Sequence, residues 1–255
     1  MLHWENGFCI ILYICLDARY YMITTILFDL DGTLLPMDQD KFVKSYIGRM
    51  ARKLAPFGYD PELLTAGLWK GTGAMVKNNG EKTNEEVFWS VFNAILDKDC
   101  QADEELFMEY YRNEFQLVAQ DCGFDPRAKE IISEIKSMGH KVVLATNPLF
   151  PSIATRSRAK WAGLNPDDFE LITTYENSRH CKPNPDYYRD ILATLDLKPE
   201  NCIMVGNDAQ EDMVAEKLGM KVFLLTDCLI NRTGEDITHY PHGSFPELLT
   251  FIREL

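Results

Sequence analysis

Five short apolar segments decide what this chain can fold into. TTILFDL (24–30), KVVLATN (141–147), FELITTY (169–175), NCIMVGN (201–207) and KVFLLTD (221–227) are rich in Val, Ile and Leu. Continuous runs of this kind suit parallel strands covered on both faces, whereas a strand open to water on one face would alternate with polar residues. Helical signals separate the runs. Asp125-Pro126 precedes RAKEIISEIKSMGH and Asn184-Pro185 precedes DYYRDILATL, each placing Pro in a first helical turn behind a capping side chain. Alternating strand and helix imply an α/β chain built on a doubly wound, Rossmann-like parallel sheet.

Residues 36–125 interrupt the alternation. KFVKSYIGRMARKL, a segment opened by Asp60-Pro61, TNEEVFWSVFNAIL with Thr83 and Glu86 as a capping box, and DEELFMEYYRNEF all read as helices. The expected organisation is a core from residues 22–35 and 126–255 and a helical insertion over 36–125. Within the insertion, GTG (71–73) lacks the spacing of a nucleotide fingerprint and reads as a turn, while Phe88, Trp89 and Phe92 read as core. Residues 1–21 read as an appendage, with an extra edge strand as the alternative. Their apolar run FCIILYICL has nine residues, too few to span a bilayer, and lacks the flanks of a secretory leader.

Composition removes several function classes. The net charge is −13 and the 26 Lys and Arg form no long run, which argues against wrapping nucleic acid. Seven cysteines without a CxxC pair, in a chain of 255 residues, fit reduced thiols and a cytoplasmic protein. The five histidines show no paired metal spacing, and oligomeric state leaves no trace.

Acidic residues stand where charge is costly. Asp29 and Asp31 end the first apolar run, and an ionised carboxylate buried there costs several kcal/mol, about the size of a typical desolvation penalty, unless a partner offsets it. Thr146 and Asn147 end the second run, and Asn207 and Asp208 the fourth. Ligands of open α/β sheets bind at such carboxyl ends, so these side chains are expected to converge.

In this order, FDLDGT, ATN, the lysine of CKPNPDYY and GNDAQED resemble the four motifs of the haloacid dehalogenase superfamily, most of whose members are phosphatases. The resemblance spans residues 23–228, and the insertion stands where that family carries a C1-type cap. It implies a Mg²⁺-dependent phosphatase acting on a small phosphorylated metabolite. Asp29 would be the nucleophile that forms an aspartyl-phosphate, Asp31 the general acid and base. Thr146, Asn147 and Lys182 would bind the phosphoryl group. The metal ligands carried over are Asp29, Asp31 through its carbonyl, and Asp208, with Asp212 next. The last motif departs from the usual form because Asn207 follows Gly206, which leaves the choice among Asn207, Asp208 and Asp212 open. Arg49, Lys70, Lys77 and Asn78 are polar residues of the insertion that could meet a leaving group. The rivals are a phosphomutase using the same residues, a dehalogenase, disfavoured because halide displacement needs no second acid or metal, and a binding protein on the same scaffold.

Overall fold

The computed structural model of the protein describes residues 22–255, so the reading of residues 1–21 lies outside the described residues. Four apolar runs form strands: β1 (Thr25–Phe28), β2 (Lys141–Leu144), β3 (Cys202–Gly206) and β4 (Lys221–Leu225). They run parallel in the order β2-β1-β3-β4, with Phe28 beside both Leu144 and Val205. A two-residue strand, β5 (His242–Gly243), adds to β4 and carries no apolar signature in the sequence.

The run 169–175 does not become a full strand. It joins β2 through one bridge, Ile172 beside Leu144. The ladder ends there because Asn177 Oδ1 accepts the Thr174 N–H at 2.8 Å and the chain turns away.

The strands alternate between two cores, which explains their unbroken apolarity. Ile26, Phe28, Leu144 and Val205 face one side, against Ile131 and Ile135 of α5 and Leu248 of α8. Leu27, Val143, Met204 and Leu224 face the other, against Tyr187, Tyr188 and Ile191 of α7. Here α5 is Arg127–Ser137, α7 is Pro185–Thr194 and α8 is Phe245–Arg253, while α6 (Ser152–Trp161) follows β2. Fully burying one such large side chain stabilises the fold by about 1.5–3 kcal/mol.

Between β1 and α5 lie four helices, α1 (Gln39–Leu54), α2 (Pro61–Val76), α3 (Asn84–Leu96) and α4 (Glu104–Arg112). Asp60 Oδ1 accepts from Glu62 N and Leu63 N, both at 2.9 Å, and Thr83 with Glu86 forms the capping box. Helix α4 stops short of Phe115, which instead sits in a 3₁₀ segment over Glu114–Asp121. GTG (71–73) is no turn: it lies inside α2. Glycine serves helix packing there, since a Cβ on Gly67 would come within 2.9 Å of the Phe92 ring and one on Gly71 within 2.6 Å of Phe88.

The insertion has its own core of Phe42, Tyr46, Leu64, Trp89, Phe92, Phe107, Tyr110 and Phe115. Its two ends meet: Met37 bridges Cys122 in antiparallel fashion, and Gly123 N donates to Pro36 O at 2.7 Å. Among the described residues no helix is long and apolar enough to cross a membrane.

Gly67→Leu is expected to force α2 and α3 apart and to destabilise the protein by about 1–3 kcal/mol. Urea unfolding of the variant beside the wild type measures this, and an unchanged midpoint would show that the close approach of the two helices is dispensable.

Candidate active site

The carboxyl ends of β1, β2 and β3 open onto one polar cavity of about 180 Å³. Asp29, Asp31, Thr146, Asn147, Asn207, Asp208 and Asp212 all line it. Asp29 prolongs β1, its N–H bonding Val205 O at 2.9 Å, so the sheet itself fixes the base of its side chain.

Lys182 reaches Asp29 from the segment ahead of α7. Its Nζ lies 2.9 Å from Asp29 Oδ1 and 2.6 Å from Asp212 Oδ1, with 1% of the lysine side chain exposed. Burial opposes this charge, but Asp212 and Asp29 outweigh it and hold the ammonium protonated well above its ordinary range. Asp212 also accepts the Asp208 N–H at 2.9 Å through Oδ2, so both of its oxygens are engaged within the protein. That geometry needs a bare Gly206, because a Cβ there would strike the Asp212 carboxylate.

Thr33 completes the fixing of Asp29. Its hydroxyl lies 3.2 Å from Asp29 Oδ2 and 2.9 Å from Asn207 Oδ1, and donates its one proton to either. Asn207 donates onward to Cys228 O at 2.7 Å. Gly32, at φ +89°, leaves room for the Asn207 amide, which a Cβ would meet head on. The residue standing after Gly206 thus braces the loop that follows β1.

Asp31 turns to Arg158 of α6 and forms an ion pair with it. The guanidinium is fully buried and lies 4.3 Å from the centre of the Phe150 ring. Burial pushes the Asp31 carboxyl above its ordinary range, while Arg158 pulls it down and Asp29 pushes it up. Asp31 Oδ1 and Arg158 Nε are buried without a hydrogen-bond partner. Asp208 accepts the Gln210 and Glu211 N–H groups at 2.9 Å through Oδ1, and pairs with Arg232 through Oδ2. Asn147 gives its amide N–H to Glu211 at 3.0 Å, and its Oδ1 is buried and unpartnered.

The donor set fits a hard divalent cation in kind. Carboxylates of Asp29, Asp31 and Asp208 and the spare oxygens of Asp31 and Asn147 belong to one cavity region, and oxygen donors are what such ions take. In the present arrangement the acids are engaged by basic side chains, and no three His, Cys, Asp or Glu of the described residues gather around one point.

A family model of haloacid dehalogenase-like hydrolases matches residues 23–219. The chain belongs to that family. Among its relatives, pyrophosphatase PpaX of Bacillus cereus is 24% identical over 199 residues, covering 78% of this chain and 81% of its own. A HAD phosphatase from Thermococcus onnurineus has the same fold at a TM-score of 0.55 and 20% identity, over 90% of this chain and 98% of its own. The Bacillus subtilis HAD-hydrolase YfnB, solved bound to magnesium, gives 0.52 and 18%, over 91% and 99%.

For this haloacid dehalogenase-like hydrolase, sequence reasoning missed Arg158, Arg232, Thr33 and Glu211. Arg158 had a signal: it shares a helical face with the buried Ala154, Thr155, Ala159 and Ala162, where a basic residue is out of place. Arg232 sits in an irregular segment and carries no such signal. Of the insertion's polar candidates, Asn78 binds Asn84 and Lys82 and is structural, and none of Arg49, Lys70, Lys77 or Asn78 lines the polar cavity.

The pairing of Asp31 with Arg158 gives an asymmetric prediction. Asp31→Ala strands a guanidinium with 1% of its side chain exposed and is expected to cost about 3–5 kcal/mol. Arg158→Met leaves a carboxylate that keeps 20% of its surface and is expected to cost less, about 1–3 kcal/mol. Urea unfolding of both variants checks the order, and a larger loss for Arg158→Met would contradict it.

Proposed function

We propose that this hydrolase is a phosphatase that cleaves a small phosphorylated metabolite through an aspartyl-phosphate on Asp29. The observation that carries the reading is the setting of Asp29: a carboxylate at a strand end, held by Lys182 at 2.9 Å and Thr33 at 3.2 Å, with a second acid two residues on in the same polar cavity.

The chemistry divides into two displacements. An oxygen of Asp29 attacks phosphorus, the bond from phosphorus to the ester oxygen breaks, and Asp31 gives its proton to the departing oxygen. Asp31, now a carboxylate, takes a proton from water as that water attacks phosphorus, which releases inorganic phosphate and restores Asp29. Burial of Asp31 favours the protonated form needed first, and Arg158 favours the charged form needed second. Lys182 keeps Asp29 and Asp212 from repelling one another and an incoming phosphate. The Thr146 side chain at the cavity wall offers a hydroxyl to a phosphoryl oxygen. Mg²⁺, held among Asp29, Asp31 and Asp208, would supply further positive charge to the phosphoryl oxygens.

A small metabolite, rather than a nucleic acid, suits the net charge of −13. A cytoplasmic setting suits the cysteines, since Cys100, Cys122, Cys181, Cys202 and Cys228 are all free thiols.

Phosphate release from a panel of phosphorylated metabolites, with and without Mg²⁺, tests the reading. Asp29→Asn is expected to lower kcat by roughly three orders of magnitude or more, as loss of a nucleophile does elsewhere. Acid-quenched wild type is expected to carry a phosphoryl group on the Asp29 peptide by mass spectrometry. Activity surviving in Asp29→Asn would refute the assignment. A requirement for a sugar bisphosphate, with no free phosphate released, would turn it toward a phosphomutase.

A further inference from the structure

Beside the polar cavity lies a second one, between the helical insertion and Leu149, Phe150, Pro151 and Tyr175 outside it, whose walls are of opposite character. It measures about 100 Å³ and is bounded by aromatic side chains, chief among them Tyr46, Trp69, Phe88, Trp89, Tyr111 and Phe150. No Asp, Glu, Lys, Arg or His lines it. Of the hydroxyls on its walls, those of Tyr46 and Tyr111 bond each other at 3.1 Å, Tyr110 OH, behind the wall, donates to Tyr46 O at 2.8 Å, and Thr72 and Tyr175 supply two more. Val43 and Leu149 belong to the walls of both cavities, so the apolar space adjoins the one that holds Asp29.

Protein interiors are packed without voids of this size unless something fills them or the packing pattern forbids closure. Here closure is easy to imagine chemically, since a larger residue at Thr72 would fill the space, yet the chain places a small one there. An unpaired second phosphate or a carboxylate in such a site would lose its hydration and find no cation. An apolar body would lose only unfavourable contact with water.

Building on the phosphatase reading, we infer that the substrate is a phosphomonoester whose leaving group has an apolar, ring-sized body lodged in this aromatic cavity. A cavity of 150 Å³ holds benzene, so one of about 100 Å³ takes roughly four carbons wholly inside it, with the rest of a six-membered ring extending toward the adjoining cavity. The phosphoryl group stays at Asp29 and the ester oxygen lies near the boundary marked by Val43 and Leu149. Phe88 and Trp89 therefore have a role beyond the core to which the sequence pattern assigns them, whereas Phe92 is fully buried and lines neither cavity.

Rates of phosphate release from methyl, butyl, cyclohexyl and phenyl phosphate and from pyrophosphate test the inference. kcat/KM is expected to rise about fourfold per added methylene up to the ring-sized esters, the factor that one buried methylene contributes. Thr72→Phe, which fills the space, is expected to lower the cyclohexyl-to-methyl ratio of kcat/KM at least tenfold. Cyclohexanol, which has no phosphate, is expected to bind the wild type and change its tryptophan fluorescence. An active enzyme with a flat series, or one that prefers pyrophosphate, would overturn the inference while leaving the phosphatase reading intact. No phosphate release from any ester would overturn that reading, and with it the assignment of the cavity to a leaving group. Absence of cyclohexanol binding would remove the cavity as an apolar site in either case, including where Thr72→Phe fails to fold.

Discussion

One buried ammonium organises the polar edge of the sheet. Lys182 lies between Asp29, at the end of β1, and Asp212, beyond β3, and thereby ties three separate stretches of chain to one charge. Two carboxylates at such separation would repel each other in a medium that screens poorly, and the lysine alone would avoid burial. Together they are satisfied, and the Asp29 carboxylate is held at the end of the strand that carries it. Gly32 and Gly206 matter through this cluster: each omits a side chain so that a polar group can close over the strand ends.

The fold was legible because the parallel sheet writes itself as unbroken apolar runs, and the Pro-preceded helix starts mark the crossovers between them. What escaped notice obeys a different logic. Run 169–175 is as apolar as a strand, yet its ladder is ended by a local bond between Asn177 and Thr174. The short strand at His242 exists because β4 offers it an open edge, not because its residues favour it. GTG looked like a turn since glycine serves two masters, the bend and the close contact, and only the facing Phe88 ring tells them apart.

At the site, the sequence disclosed which acids gather but only part of what neutralises them. Lys182 was legible through the motif CKPNPDYY and the resemblance it carries, not through a place at a strand end. Arg232 was not, because an ion pair between distant segments leaves no period along the chain, and the place of Arg158 on a buried helical face marks it as unusual without naming Asp31 as its partner. Asn207 shows the same limit from the other side. Its place in the motif suggested a vacancy among the acids, whereas its amide is a brace, its oxygen 2.9 Å from the Thr33 hydroxyl and its N–H donating to Cys228 O.

The meeting of Met37 with Cys122, sealed by Gly123 and Pro36, makes the insertion a removable part in the geometric sense. Since the chain leaves the sheet and returns to it at adjoining points, the length enclosed between them scarcely affects the cost of bringing those points together, which grows only with the logarithm of loop length. A different set of helices, longer or shorter, could be spliced across that junction without disturbing the register of a single strand. A graft at Met37 and Cys122 would exchange most walls of the aromatic chamber and, through Gln39, Phe42 and Val43, one wall of the polar cavity with them, so the two spaces change together while the strands stay as they are.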